Sequence, residues 1–330
     1  GCGVGFKLLQ GFCLQQTISL SLLYTYLDLV AVSIASDIEP ITGENRVLAF
    51  YGMKKLNESP SIGLSSLIEI SGLKPPMTDS DVVFYLGPRI NAAGRLAHAK
   101  SSVELLIADS EYETNKVADL LNTHNTQRRA FDQNTTQEAI SMIEEDEALL
   151  AANSTVLYKP EWHKVVVGIV ASRCIEHYYR PTIILTSSNG KVTGSARSVE
   201  GFDVYEAIAS CGNWLEQYGG HTHAAGLTLQ EDKLEGFKLA FEETVQSTIT
   251  QDQLAPKLSI DLEVDFNFVS FKTLSIIDQM APFGPGMMEP TFCTYDCIAT
   301  EWKLIQDKHL KMVVSQRHVS QKVEAIAFGH

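Results

Sequence analysis

Thr182-Ile183-Ile184-Leu185, the turn Ser188-Asn189-Gly190, and Lys191-Val192-Thr193-Gly194-Ser195-Ala196-Arg197 read together as strand, turn, strand. Ile, Val and Thr suit a pleated, half-buried surface, and Asn-Gly is a strong hairpin signal. Upstream, Val165-Val166-Val167-Gly168-Ile169-Val170 is continuous and β-branched, as a strand or the opening of a buried helix would be. Residues 171–179 then read as helix, stopped before Pro181. Downstream, Asp203 stands where an N-cap is needed for a helix over 204–211. Gly219-Gly220-His221-Thr222-His223-Ala224-Ala225-Gly226 follows, then a strand over 227–229 and a helix over 234–245. Strands alternating with helices make this an α/β domain.

Further out, residues 113–149 carry an intermittent apolar stripe with no Gly or Pro. A long, mostly polar helix of this kind commonly bridges two domains, and the first boundary is placed within it. Before it, residues 1–36 read as two helices, with Leu8, Leu9, Phe12, Cys13 and then Leu23, Leu27, Val30, Ile34 at helical spacing. Pro40 stops the second, and residues 45–56 form another amphipathic helix. After residue 258 the pattern is β-rich, with strands expected over 258–264, 291–299, 302–305, 309–314 and 323–328. Short strands with turn signals suggest a small OB-like barrel, a common single-strand-binding module. Ala281-Pro282-Phe283-Gly284-Pro285-Gly286 joins a helix to these strands.

The chain has 330 residues, 45% of them hydrophobic, enough for more than one core. No apolar run approaches the ~18 residues of a membrane span, and no secretory leader pattern is present. The six cysteines show no CxxC pair, and free thiols in a reducing cytoplasm account for them. A net charge of −14 excludes a globally basic nucleic-acid binder but leaves room for a local basic cleft.

Four stretches carry candidate chemistry. Asp37 ends an apolar helix, where a carboxylate is paired, metal-bound, or simply caps the turn before Arg46. In Gly87-Pro88-Arg89-Ile90-Asn91-Ala92-Ala93-Gly94-Arg95-Leu96, two arginines flank what reads as a small-residue turn, with Pro88 making Gly87 extended. An Arg fork matches phosphate oxygens. Ser195 and Arg197, two apart on a strand, point to one face and offer a hydroxyl and a guanidinium to one anion. Gly219 and Gly220 let a ligand approach the backbone N–H groups, and His221 and His223 are suited to metal or phosphate. The plainer readings are a surface ladder and a tight turn with solvated side chains.

These motifs, together with Leu27-Asp28-Leu29-Val30-Ala31, Asp37-Ile38-Glu39-Pro40, Trp162-His163 with Gly168-Ile169-Val170-Ala171-Ser172-Arg173, and the loop at 281–286, occur in the order of a known family. The chain resembles the RecJ single-strand-specific exonucleases of the DHH phosphoesterase superfamily over essentially its whole length. The resemblance implies the C-terminal part of a DHH catalytic domain (1–112), a connecting helix (113–149), a DHHA1 α/β domain (150–252) and a partial OB-fold barrel (253–330). It implies 5′→3′ hydrolysis of single-stranded DNA in repair and recombination, with two divalent ions, Mn2+ or Mg2+, activating water. Asp37 matches a metal-binding aspartate. Arg89, Ser195 and Arg197 match residues that hold substrate phosphate, and Asn91, Arg95, Gly219 and Gly220 join them. His221 matches the histidine of the family's Gly-Gly-His motif, facing the cleft between two domains, whereas His223 occupies a variable position. Single-strand-binding protein and a helicase are implied partners, the cytoplasm is the implied location, and no membrane is involved. The family's Asp-His-His is absent from these residues, so the chain reads as a fragment without most of its metal ligands, inactive alone. The alternatives are a phosphodiesterase for short oligonucleotides or cyclic dinucleotides, and a non-catalytic nucleic-acid-binding scaffold.

Overall fold

The computed structural model describes residues 1–96 and 99–329, without the side chains of Ala93, Arg95 and Leu96. The chain divides into two compact units, Gly1–Pro88 with Ala108–Glu111 and Leu258–His330, and Arg89–Ile107 with Tyr112–Lys257.

The second unit is built on a five-stranded sheet of β1 (Thr155–Tyr158), β2 (Thr182–Ser188), β3 (Lys191–Arg197), β4 (Gln217–His221) and β5 (Ala224–Leu229), in the order β1-β2-β3-β5-β4. β1 and β2 pair in parallel and the other pairs are antiparallel. The helix Val167–His177 is the crossover between β1 and β2. The β-branched run at 165–170 therefore opens a helix. Its Val167, Val170, Ala171 and Cys174 line one face of the sheet with Ile184, and Ala139 and Ile143 of the long helix share that core. The opposite face carries Ile183, Val192, Ala196, Ala225 and Leu227, packed with Phe237, Phe241 and Val245. The last three belong to the helix Leu234–Thr248. β1 escapes the sequence reading because four residues before a proline carry no alternation to detect.

The long helix runs Glu111–Glu144 and ends there; Asp146 caps a second, short helix, Glu147–Ala151. Its buried stripe includes polar side chains, Thr114, Asn125, Asp132 and Thr135. Asp132 is satisfied by a two-pronged pair with Arg173, at 2.9 Å from Nε and 3.0 Å from Nη2. This pair raises the Arg173 pKa, ties the long helix to Val167–His177, and explains how a carboxylate lies inside an apolar stripe.

In the first unit, residues 1–36 form three helices rather than two: Cys2–Gln15, Ser21–Tyr24 and Leu27–Ser36. Gly43–Glu58 follows and packs on Leu27–Ser36. The buried carboxylate of this region is Asp28, fully inaccessible, not Asp37, which is exposed. Asp28 accepts the N–H of Ser61 at 2.7 Å and of Leu29 at 2.9 Å, with Lys55 Nζ 3.6 Å away. Asp28→Ala is therefore expected to cost about 2–3 kcal/mol, because it removes the acceptor of the Ser61 N–H and leaves a cavity in a fully buried place. Urea unfolding reads this; a loss below about 1 kcal/mol would remove the carboxylate from the account.

The motif at 87–96 is also not a turn. A π-helical stretch, Val82–Leu86, feeds directly into the helix Gly87–Leu96, and Gly87 is helical at φ −52°. Pro88 follows directly on the π-helical stretch, where the hydrogen-bond pattern changes from i→i+5 to i→i+4. The C-terminal strands are β6 (Leu262–Glu263), β7 (Phe292–Cys293), β8 (Cys297–Ile305), β9 (His309–Gln316) and β10 (Lys322–Phe328). They make a three-stranded antiparallel sheet, β10-β9-β8, and a parallel β6-β7 pair. The expected strands at 302–305 and 291–299 thus redistribute. Residues 302–305 merge into β8 across a bulge between Ala299 and Glu301, and only two residues pair from 258–264.

Candidate functional site

Sheet register brings several of the candidates together. Ser195 of β3 pairs with Gly226 of β5, which pairs with Gly219 of β4. Arg197 pairs with Ala224, which pairs with His221. Directly opposed residues in an antiparallel sheet share a face, and residues two apart on a strand do too. Ser195, Arg197, Gly219, Gly226 and His221 therefore line one face. The intervening row, Ala196 and Ala225, is buried in the core on the other side. Gly219, Gly226 and Ala224 make a low floor between the half-buried Ser195 and Arg197 and the exposed His221.

At the inner end of that floor, Arg197 Nη1 donates to Ser195 Oγ at 2.7 Å and to the Ala196 carbonyl at 2.8 Å. The helix Val167–His177 begins beside them, and Gly168 in its first turn provides the space. A Cβ there would stand 2.7 Å from Arg197 Nη2 and 3.2 Å from Ser195 Oγ. A hydroxyl, a guanidinium and the positive end of a helix lie side by side, a set suited to a phosphate dianion. Nothing local in the run at 165–170 explains Gly168, since the reason for it lies on a strand almost thirty residues away.

The octet at 219–226 is a β-hairpin, β4 and β5 joined through Thr222 and His223. The backbone of β4 is thus engaged in a ladder with β5 rather than curled into an anion nest. Gly220 has no room for a side chain, because a Cβ would lie 2.3 Å from the Ala224 carbonyl oxygen. Gly219 faces open space. The His221 and His223 rings stand 6.1 Å apart. Asp203 caps the helix Val204–Ser210, and the N–H of Glu206 holds its carboxyl below the usual carboxylate range, helped by the Thr222 hydroxyl and opposed by partial burial.

Arg89 is buried at 9% exposure and anchored on the long helix, its Nε donating to Asn122 Oδ1 at 3.0 Å. It is not the solvated loop arginine that the plainer reading would have made it. Asn91 is exposed on the same helix, and the side chain of Arg95 lies outside the described residues.

Asp37 belongs to the first unit, whereas Ser195, Arg197 and His221 belong to the second. Asp37 is the C-cap of Leu27–Ser36, and Ile38 after it sits in the left-handed region at φ 56°. The loop at 281–286 holds the segment that follows. Ile41 N–H donates to the Pro285 carbonyl at 2.7 Å, and a Cβ at Gly284 would be 2.5 Å from Ile41 Cγ1. Arg46 donates to the Pro282 carbonyl at 3.0 Å, and Phe283 N–H reaches Asp79 Oδ2 at 3.3 Å. Burial raises the Asp79 carboxyl pKa. The Pro-Gly loop, read from sequence as a connector, is thus a brace for the backbone beside Asp37. Among the described residues, no three His, Cys, Asp or Glu side chains come together as a metal-ligand group. One exposed carboxylate does not make a two-metal centre, which needs several oxygen or imidazole ligands. The residues present do not fit that cofactor by themselves.

Comparison with known proteins agrees with this architecture. The DHHA1 domain family matches residues 151–247, and the RecJ OB domain family matches residues 260–330. The single-stranded-DNA-specific exonuclease RecJ of Bacillus subtilis is 30% identical over all of this chain and 42% of its own length. That of Haemophilus influenzae is 34% identical over 92% of this chain and 54% of its own. RecJ of Thermus thermophilus in complex with Mg2+ superposes with a TM-score of 0.85 at 27% identity, over 100% of this chain and 50% of that one. The chain belongs to the RecJ family. The Mn2+ complex of the Thermus protein matches this RecJ-family chain equally well, with a TM-score of 0.85 at 26% identity. The chain spans about half the length of the relatives it matches. No helix among its described residues is long and apolar enough to cross a membrane.

Proposed function

We propose that this chain carries the phosphate-holding half of a single-stranded-DNA-specific exonuclease. The observation that supports this most is the common face of Ser195, Arg197, Gly219 and His221, with Gly168 making room for the guanidinium. Arg197 and Ser195 hold the terminal 5′-phosphate, with Arg89, Asn91 and Arg95 as further phosphate contacts. The floor of small residues lets the strand lie against the Gly219 and Gly220 backbone. His221 stands at the outer edge, where an imidazole donates to a non-bridging oxygen as charge builds in the transition state. In the whole protein Asp37 would supply one carboxylate to a Mn2+ or Mg2+ centre. A centre of that kind needs ligands beyond Asp37, so the step that consumes water belongs to the whole protein.

The parts of the chain take corresponding roles: residues 1–112 in the catalytic domain, 113–149 as connecting helix, 150–252 as the phosphate-holding domain, and 253–330 as the single-strand track. A cytoplasmic role in DNA repair, beside single-strand-binding protein and a helicase, fits such an enzyme. The acidic total, −14, confines phosphate contact to a small basic patch.

Fluorescence anisotropy with oligothymidylates bearing a 5′-phosphate, a 3′-phosphate or neither tests the reading. The 5′-phosphorylated strand is expected to bind tightest, losing about sevenfold to twentyfold in affinity from about 50 to about 200 mM salt, as two or three phosphate contacts to a single strand require. With Mn2+ present the 330-residue chain is expected not to shorten the strand. Equal, salt-insensitive binding of all three strands would overturn the phosphate assignment. Robust Mn2+-dependent degradation would overturn the division of labour.

A further inference from the structure

Asp203 has a second task beyond capping a helix. One oxygen, Oδ1, accepts the N–H of Glu206 at 3.1 Å, the ordinary N-cap bond. The other, Oδ2, accepts the Thr222 hydroxyl at 3.1 Å, and Thr222 is in the turn of the hairpin that carries His221. The same turn is tied at two backbone points. Val204 N–H donates to the Thr222 carbonyl and Ser198 N–H to the His223 carbonyl, both at 3.1 Å.

These ties matter because little else restrains the tip. β4 is the edge of its sheet, and all five of its residues are exposed. An exposed edge strand without buried side chains lies at the low-stability end of a fold, where local opening is easy. Ser, Thr and Asn cap helices about as well as Asp, so the helix alone does not call for a carboxylate. A carboxylate leaves a second oxygen for the Thr222 hydroxyl once the first is capping, whereas the single hydroxyl of a Ser or Thr cap is used up by the cap itself. The tie reaches the imidazole through the turn. His223 N–H donates to His221 Nδ1 at 3.3 Å. A ring nitrogen that accepts an N–H carries no proton, so the proton of the neutral ring sits on Nε2.

We propose that Asp203 is a positioning residue for His221: through Thr222 it fixes the hairpin turn and thereby the Nε2–H tautomer that His221 presents on the open face. The phosphate ligand in this proposal rests on the function proposed above, whereas the hold on the tautomer does not.

Asp203→Ser and Thr222→Val separate the two tasks of the carboxylate. Serine keeps the helix cap but is too short and too poor in acceptors to reach Thr222, and valine removes the hydroxyl from the other side. In the 330-residue chain with 15N-labelled histidine, long-range proton–nitrogen spectra report the His221 tautomer, and anisotropy reports affinity for 5′-phosphorylated oligothymidylate. Both variants are expected to melt close to the unsubstituted chain. Both should show His221 averaging between its two tautomers and should bind the strand about threefold to tenfold more weakly, the loss of one hydrogen-bonding contact. The double variant should be no worse than either single one, since both break the same link. Asp203→Asn should lie closer to the unsubstituted chain than Asp203→Ser, because its amide N–H can donate to the Thr222 hydroxyl oxygen while its carbonyl oxygen caps the helix. Unchanged His221 spectra in both single variants would overturn the proposal, and so would fully additive losses. If the unsubstituted chain fails to bind the strand, the phosphate reading falls while the histidine spectra still decide the role of Asp203.

Discussion

In a RecJ chain of full family length, His221→Ala is expected to lower turnover of 5′-phosphorylated single strands by about 100-fold to 1,000-fold, the usual effect of removing one donor aimed at developing charge. His223→Ala should cost no more than about twofold, in line with a surface substitution away from the reacting groups. The two imidazoles are two residues apart and both exposed, so composition and distance along the chain do not separate them. Register does. His221 lies in the row of Arg197 and Ala224 on the open face, while His223 sits in the turn and contributes its backbone to the ties at Ser198 and His221. Steady-state rates with Mn2+ and a 5′-phosphorylated oligothymidylate make the comparison, with strand affinity measured alongside. A loss confined to affinity would make His221 a binding group only, and equal losses for the two variants would end the distinction.

Glu242→Ala should be the most destabilising single carboxylate removal in the second unit, by about 3–5 kcal/mol, lowering the melting temperature by roughly 10 °C or more. Glu242 accepts the N–H of Asn153 at 2.8 Å and of Ser154 at 2.9 Å, which fixes the entry to β1. Its charge also faces Arg180, a guanidinium only 5% exposed. Arg180 donates from Nε to Thr155 Oγ1 at 2.8 Å and from Nη1 to the Ala152 carbonyl. Among the described residues its Nη2 is buried without a hydrogen-bond partner. Burial pulls the Arg180 pKa down, and Glu242 is the main influence in the other direction. Alanine would leave two N–H groups and a buried cation uncompensated, the costly way to break such an arrangement. Glu242→Gln keeps one acceptor and should cost about half as much. Urea unfolding followed by circular dichroism measures both, and a loss for Glu242→Ala below about 1 kcal/mol would show that water compensates these groups.

The strands β2 and β3, the helix after Asp203 and the helix Leu234–Thr248 were legible in the sequence, because each has its own local signal. Ile and Val runs, an Asn-Gly turn and an N-cap act over a few residues. The errors share a cause. Residues 165–170 are as β-branched as a strand, yet they form a helix because the crossover between parallel β1 and β2 has to lie on the sheet there, and tertiary packing outweighs a propensity worth tenths of a kcal/mol per residue. Residues 87–96 read as a turn from their Pro and Gly, yet they continue a helical run that passes through the π-helical stretch Val82–Leu86. Asp37 is the exposed C-cap of its apolar helix, in line with the plainer reading, while the buried acid is Asp28, which finds Ser61 and Lys55 across the fold.

Sequence alone determined the family resemblance, the α/β character of the central domain, and the pairing of Ser195 with Arg197, since alternation along one strand sets which side chains share a face. It also supplied Asp203 as a helix cap. The resemblance implies His221 beside Ser195 and Arg197, and tertiary structure supplied the three-strand register that does it; tertiary structure alone decided that Gly168 clears space for the guanidinium and that the loop at 281–286 braces the backbone beside Asp37. It alone gave Asp203 its second partner. The reason is physical. Local signals report what a residue does to its own backbone, while a register across three strands or a contact missing a methyl group depends on which distant segments meet.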